Sequence, residues 1–463
     1  MSTLTNNTVA KENRSITVYE NAKLIAVNKG QDTQAGFTGI PQATFNELEA
    51  RIHDHVDDER HWLRSARGPK GCRAIQILGH AGVLRTSDGT QIEVLPKTGK
   101  TTNDQDSRLA LIEMIKALLG FRWYESQSAS IQLHRMPMLE VFIREFLMAT
   151  RAVIKRGLRS DYITRQDNLM ALRGRLIVAR NITENLVRPD RFFTEHDEYS
   201  ANRAENRLLH TALTRVISWS RSPNNQQLAR ELGFIFHEIP ESTNIDQDFN
   251  RIRRDRDMQY YQPALQWAGL ILKGYSPLTN DGNFGAPSLM FPMADLFEAY
   301  VEKMLKRKMA PGAQLTRQAK RKFLVKHKDQ NWMQLKPDLV ITSATGKKMV
   351  MDTKWKLLDV GKAGSRDKYG MSQADFYQLY AYAHYYVGGD GTLALVYPKT
   401  DQFDTPLEEF IFNEPANSMF RLLVLPFHLP TLSERYGYLV AKEDLEPILK
   451  PFCNLSVGSS SPQ

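Results

Sequence analysis

Cysteine is almost missing from this chain: Cys72 and Cys453 are the only two among 463 residues. That excludes a disulfide framework and a cysteine-rich zinc site, which both need several thiols at set spacings. Long apolar runs are missing too. None approaches the ~18 residues of a membrane span, and the first 30 residues hold no apolar signal core. A soluble, cytoplasmic protein with no membrane partner is therefore expected. No Gly-x-Ser-x-Gly elbow occurs, and neither cysteine sits in a nucleophile motif. Gly99-Lys100-Thr101 imitates the end of a phosphate-binding loop, but Val94 stands where its first glycine is required. The chain is expected to bind no nucleotide. His53, His55 and His61 lie beside Asp54, Asp57 and Asp58. On a helix the spacing of two points His53 and His55 apart, which favours a solvated face over a metal site.

The composition that remains is that of a folded chain, 42% hydrophobic and 24% charged, long enough for two or three domains. Residues 1–100 read as β-rich. Ile16–Tyr19 and Lys23–Val27 are short strands, Thr44–Arg64 is a helix, and Val83–Thr86 and Gln91–Leu95 flank the turn at Asp88-Gly89. Residues 101–290 read as mainly helical. Apolar residues recur at helical spacing from Leu109 to Leu119 and from Leu139 to Leu147. A β-like interruption spans Asp161–Val178, and helices are expected at Ala204–Trp219, Asn225–Phe236 and Gln262–Leu272. Gly274–Pro292, rich in glycine and proline, is the expected domain boundary. Residues 291–463 then alternate: helix 293–309, strands 321–327, 335–342 and 348–354, helix 371–386, and strands 392–397 and 420–427. The expected fold class is multidomain α+β ending in a compact α/β domain, with a frayed tail over 455–463.

The informative segment is Leu335-Lys336-Pro337-Asp338-Leu339-Val340-Ile341 followed by Met349-Val350-Met351-Asp352-Thr353-Lys354-Trp355. A hairpin centred on Thr345 sets Asp338 opposite Asp352, and Lys354 shares their face because side chains alternate. A surface cluster in which Lys354 merely neutralises two aspartates is the plain alternative. The apolar residues on both faces argue instead for a buried sheet with charge at its end, where hard carboxylate oxygens suit Mg²⁺. Residues 303–328 carry ten basic side chains and no acid, in a chain whose net charge is +9. Lys320, Arg321, Lys322, Lys326 and Lys328 are thus candidates for contacting a phosphate backbone. Arg251, Arg253, Arg254 and Arg256 are interleaved with Asp255 and Asp257 and read as an ordinary exposed segment.

Pro337-Asp338 and Asp352-x-Lys354 resemble the motif of the PD-(D/E)xK nuclease superfamily. Glu298 matches its upstream acidic position, and Gln378-x-x-x-Tyr382 matches its RecB-like branch. Further pieces narrow the resemblance. They are Gly82-Val83-Leu84 with Asp88-Gly89-Thr90 and Ile92–Lys97, Leu172-Arg173-Gly174-Arg175-Leu176, Asp197–Ser200 with Asn206-Arg207-Leu208-Leu209, and Asp375–Ala383 with Tyr385-Tyr386. In this order they resemble the McrC family, nuclease subunits of McrBC modification-dependent restriction systems, over most of the chain. Trp355 stands where that family is expected to carry tyrosine.

The resemblance implies an Mg²⁺-dependent endonuclease subunit, with two ions possible, that cuts double-stranded DNA in phage defence. Asp338 and Asp352 would bind metal, the Thr353 carbonyl could join them, and Glu298 would act directly or through water. Lys354 would orient the attacking water and stabilise charge at phosphorus, with Gln378 and Tyr382 bracing it. A separate AAA+ GTPase ring would bind the GTP, docked on residues 1–100. A stand-alone RecB-like repair nuclease and a non-catalytic DNA-binding activator remain the alternatives.

Overall fold

Short runs rich in apolar residues form the strands Ser15–Tyr19 (β1), Lys23–Val27 (β2) and Phe37–Pro41 (β3), which bury Val18, Leu24, Ile25 and Ile40. The computed structural model describes residues 15–27, 36–53, 62–99, 103–119, 136–252, 256–273, 288–319, 322–364, 366–388, 391–412 and 420–454. The chain divides into two compact units: residues 1–123, 130–135 and 276–463 form one, and 124–129 and 136–275 the other. The expected segments 1–100 and 291–463 therefore belong to a single unit. Among the described residues, no helix is long and apolar enough to cross a membrane. Cys72 is exposed, Cys453 is buried, and both are free thiols.

In the first unit, helix α1 (Gln42–His53) follows β3, and strands β4 (Leu63–Arg67) and β5 (Arg73–Ile77) complete a four-stranded sheet in the order β3-β2-β5-β4. The helix expected over Thr44–Arg64 is thus too long. Arg64 pairs with Gln76 in a strand ladder, and Trp62 and Leu63 are buried. Strands β6 (His80–Arg85) and β7 (Gln91–Leu95) form the expected hairpin, and helix α2 (Asp104–Leu118) is capped by the Asn103 side chain.

The second unit is built on helix α3 (Met138–Arg156), whose stripe Leu139, Phe142, Ile143, Phe146 and Leu147 is buried throughout. An arm follows. Strand β8 (Asp161–Leu169) pairs antiparallel with β10 (Phe192–Ser200) along nine residues, while β9 (Arg175–Leu176) adds to the other edge of β10 and helix α4 (Val178–Asn185) packs nearby. Gly174 is required there: a Cβ at its φ of +70° would lie 2.3 Å from the Glu195 carbonyl oxygen. Strand β10 was not expected, because Thr194-Glu195-His196-Asp197-Glu198 has no apolar alternation. It forms by pairing with β8. Helices α5 (Ala204–Trp219), α6 (Pro223–Ile235), α7 (Ile245–Arg251) and α8 (Gln262–Lys273) complete this unit.

The chain then returns to the first unit through β11 (Ser288–Pro292). This strand pairs with β6 and closes a sheet of order β1-β7-β6-β11. The expected boundary at Gly274–Pro292 therefore ends in a strand, and its residues 274–287 lie outside the described residues. Gly82 permits the pairing, since a Cβ there would sit 2.0 Å from the Leu289 carbonyl oxygen. Helix α9 (Met293–Arg307) leads to strands β12 (Gln314–Arg317), β13 (Lys322–His327), β14 (Gln330–Leu335), β15 (Leu339–Thr342) and β16 (Lys348–Thr353). Helix α10 (Gln373–Tyr382) continues as a wider turn through Val387, followed by β17 (Gly391–Pro398), β18 (Phe410–Ile411), β19 (Phe420–His428), β20 (Tyr438–Leu439) and the short helix α11 (Glu446–Leu449).

A seven-stranded sheet runs β12-β15-β16-β17-β19-β18, with β20 also on β19. Its centre, β16-β17-β19, is parallel, and Leu393–Val396 and Leu422–Leu425 are buried without alternation, as strands covered on both faces must be. Two expectations change here. The strand expected over 335–342 is broken at Pro337, which lacks the N–H a ladder needs. The strand expected at 321–327 pairs only with β14, in a separate ribbon outside the main sheet. Residues 455–463 lie outside the described residues.

Candidate active site

Leu339 pairs with Met351 and Thr342 with Lys348, a register centred on Thr345 that carries Asp338 across from Asp352. Asp338 sits one residue ahead of β15, where Pro337 has interrupted the strand. Its Oδ2 accepts hydrogen bonds from the Thr353 backbone N–H and hydroxyl, both at 2.7 Å. Asp352 is inside the sheet, 2% exposed, between apolar Met351 and the neighbouring strand residue Leu395. The Lys354 Nζ lies 2.8 Å from Asp352 Oδ2. It also reaches Asp375 Oδ1 at 3.3 Å and donates to Gln378 Oε1 at 3.2 Å, and Gln378 donates in turn to the Tyr382 hydroxyl at 2.7 Å. Asp375, Gln378 and Tyr382 are three and four residues apart, so one face of α10 holds Lys354.

Glu298, on α9, is buried as well, but its Oε1 accepts from Arg317 Nε at 3.0 Å and Gln318 Nε2 at 3.1 Å. Among the described residues, no three His, Cys, Asp or Glu side chains gather closely enough to hold a metal between them. The carboxylates nonetheless feel one another. Burial, then the charge of Asp352, raises the Asp338 pKa to about 6. Burial raises Asp352 against the pull of Lys354, and burial followed by the charge of Asp338 raises Glu298. Burial alone would lower Lys354, but Asp352, Asp375 and Asp338 outweigh it and hold the ammonium protonated. Burial and the charge of Asp352 push Tyr382 up to about 12.

Residues 75–398, about seven-tenths of the chain, match the family described as McrBC 5-methylcytosine restriction system component. The chain belongs to that family. By structure it is similar to a chain of a refined half-complex from a tetradecameric assembly of Thermococcus gammatolerans McrB AAA+ hexamers with bound McrC. The TM-score is 0.64 at 18% identity, covering 89% of this chain and 94% of that one. It is also similar, with a TM-score of 0.47 and 18% identity over 63% of this chain and 87% of the other, to a chain of the Thermococcus gammatolerans McrBC complex. A comparison with curated proteins finds no match.

Several pieces that resemble the McrBC family serve packing. Asn206 is buried and donates to the Arg159 and Ala201 carbonyls, and Arg207 pairs with Asp248. Trp355, half-buried, stands edge-on to Phe297 and donates Nε1–H to Glu20 at 2.7 Å, a bond across 335 residues of sequence. Glu20, Asp375, Arg317 and Gln318 went unnoticed as neighbours of the site. Asp375 alone had a local signal, its spacing of three from Gln378.

The basic stretch 303–328 is not one continuous face. Lys306 pairs with Glu302 at 2.6 Å, and Arg317, though exposed, is paired with Glu298 and Glu302. Lys322, Lys326 and Lys328 are exposed on the β13–β14 ribbon, with Lys326 3.0 Å from Asp329. Lys320 and Arg321 lie outside the described residues. So do Lys100, Thr101, His55, His61, Arg253 and Arg254, and the His53 and Arg256 side chains.

Proposed function

We propose that this chain is the DNA-cleaving subunit of a McrBC-type restriction complex and hydrolyses phosphodiester bonds of double-stranded, modified DNA with Mg²⁺. The observation that carries the reading is a pair of facing carboxylates, buried Asp352 and half-buried Asp338, with a protonated lysine 2.8 Å from Asp352, at the end of a strand in an otherwise apolar sheet. Charge is costly there unless it is used. The last strands and α10 would form a PD-(D/E)xK nuclease domain, by resemblance.

The donor set fits a divalent ion. Asp338 and Asp352 offer hard oxygens, and each is held above its ordinary pKa by burial, a cost that a dication relieves. The Thr353 carbonyl belongs to the same strand end. Glu298 would join through water or once Arg317 releases it. The chemistry Mg²⁺ supplies is neutralisation of charge at the phosphate and acidification of the attacking water. Lys354 holds its proton, orients that water and faces the negative charge that grows on the phosphate oxygens. Asp375, Gln378 and Tyr382 keep its ammonium in place.

A separate AAA+ GTPase ring would act with this chain, a reading supported by family membership and by the similarity to a chain of an assembly of McrB hexamers with bound McrC. Residues 1–100 were its expected docking site. Among the described residues, however, that segment exposes no large apolar side chain, whereas the β8–β10 arm exposes Leu186 at 80% and Val187 at 85%. The arm is thus a second candidate surface for a protein partner, beside residues 1–100. The test is cleavage of a methylated duplex by the full chain with Mg²⁺, with and without the GTPase and GTP. Cutting that needs both supports the proposal. Cutting by the chain alone would favour a stand-alone nuclease. GTPase stimulation with no cutting under any condition would leave a non-catalytic activator.

A further inference from the structure

The β13–β14 ribbon belongs to no larger sheet, and both its faces are exposed. Two-stranded ribbons are marginal on their own, so this one needs an anchor and a use. The anchor is visible. The Tyr386 hydroxyl shares its one hydrogen between the Ala319 and Leu335 carbonyl oxygens, 2.7 and 2.8 Å away at the base of the ribbon, and the Tyr385 hydroxyl donates to the Leu324 carbonyl at 2.9 Å. Both tyrosines follow directly on α10, which carries Gln378 and Tyr382.

The ribbon is also spliced into the site at both ends. Four residues before it, Gln318 binds Glu298 through its side chain and the Asp338 carbonyl through its N–H at 2.8 Å. Three residues after it comes Asp338. Whatever the ribbon grips is held next to the carboxylates.

Val325 pairs with Trp332, and side chains alternate, so the two faces differ. One presents Val325, Trp332 and His327, the last two rings 5.4 Å apart; the other presents Lys322, Leu324 and Lys326. Trp332 is 50% exposed, and Met333 66%. Lys328 and Asp329 form the tip with φ of 43° and 61°, and Met333 has φ of 54°. A tip of this hand favours Asn-Gly, so a lysine is carried there at a conformational cost.

We propose that this ribbon is a DNA arm that enters the major groove of the duplex being cut. The lysine face would lie along a phosphate backbone, and Val325 and Trp332 against base edges and sugars. A two-stranded ribbon matches the width of that groove, and the lysines supply the charge complementarity that the apolar face alone would lack. The inference rests on the DNA-cleavage reading, whose residues lie at the base of the ribbon.

The test uses the full-length protein and a fluorescent double-stranded oligonucleotide in EDTA, where cutting is off. Lys322→Ala with Lys326→Ala should lower the salt dependence of binding by about one unit per lysine. Trp332→Ala should weaken binding about tenfold with the salt dependence unchanged, and Trp332→Phe should restore most of it. Because these side chains are exposed, thermal melting should stay at the wild-type temperature. If the variants bind and cut as wild type does, the ribbon does not touch DNA and the inference is overturned, with the cleavage reading intact. If they bind DNA normally but lose GTPase stimulation, the ribbon is a protein-docking element and the inference is again overturned. If wild type itself neither binds nor cuts DNA with Mg²⁺, GTPase and GTP present, both readings fall together.

Discussion

The two units break the rule of apolar inside and charged outside in opposite ways. In the first, Asp352 and Glu298 are buried and Asp338 is half-buried, in or beside a sheet whose core strands are apolar. In the second, the β8–β10 arm turns Tyr162, Met170, Leu186 and Val187 to solvent. Each departure costs free energy in the isolated chain, the first through desolvated charge and the second through unburied apolar surface. The costs are relieved by different things. Under the proposed function, a cation and a phosphate would relieve the first, and a protein surface would relieve the second. On that proposal chemistry belongs to one region and assembly to the other, and each should be breakable without the other.

The largest effect is expected from Asp352→Asn. It keeps the shape of the side chain and removes a ligand charge, so cleavage should fall by about a thousandfold or more. Stimulation of the GTPase should persist, because the arm is untouched. A paired assay of DNA cutting and GTP turnover on the reconstituted complex checks both, and loss of the two together would collapse the comparison. The converse change is Leu186→Ser with Val187→Ser. GTPase stimulation should drop about tenfold or more, as when exposed anchors of an interface are removed, while thermal stability holds or rises. If deleting residues 1–100 abolishes stimulation and the arm double variant leaves it intact, docking lies on the N-terminal segment instead.

Asp375→Asn sharpens the chemical side. Lys354 would keep Asp352 and Gln378 but lose one bracing carboxylate, and the cutting rate should fall about tenfold. A fall as deep as that of Asp352→Asn would place Asp375 among the groups that act directly. The last effect concerns stability and leaves both functions untouched. Burial raises Glu20 to about 7, against hydrogen bonds from Trp355 and Lys97. The folded state then binds more protons than the unfolded one between about pH 4.5 and 7, so stability falls as pH rises through that window. Glu20→Gln should abolish this slope and gain on the order of 3 kcal/mol over wild type above pH 7. Melting curves at pH 5 and pH 8 measure it, and equal slopes in the two proteins would mean that Glu20 titrates normally.

The hairpin of the site was legible because its information is local. Asp338 and Asp352 are fourteen positions apart, and period-two alternation about one turn is enough to place them and Lys354 on one face. The helix spacing of Gln378 and Tyr382 is local in the same way. The long helices Ala204–Trp219 and Gln262–Lys273 were legible from their apolar stripes, but the polar strand β10 was not, since its pairing with β8 and not its own composition makes it a strand.

What the sequence by itself determined is the set of groups that carry chemistry: an apolar hairpin with two aspartates and a lysine, a bracing helix and a family resemblance along the chain. Tertiary structure alone decided the rest. It joined β11 to β6 and so made one unit of the two ends of the chain, paired Arg317 with Glu298, and set Glu20 against Trp355. It also left the ribbon and the arm uncovered. Those outcomes depend on contacts between residues far apart in the chain, whose selection rests on packing and desolvation summed over the whole core, and no window of sequence contains both sides of such a contact.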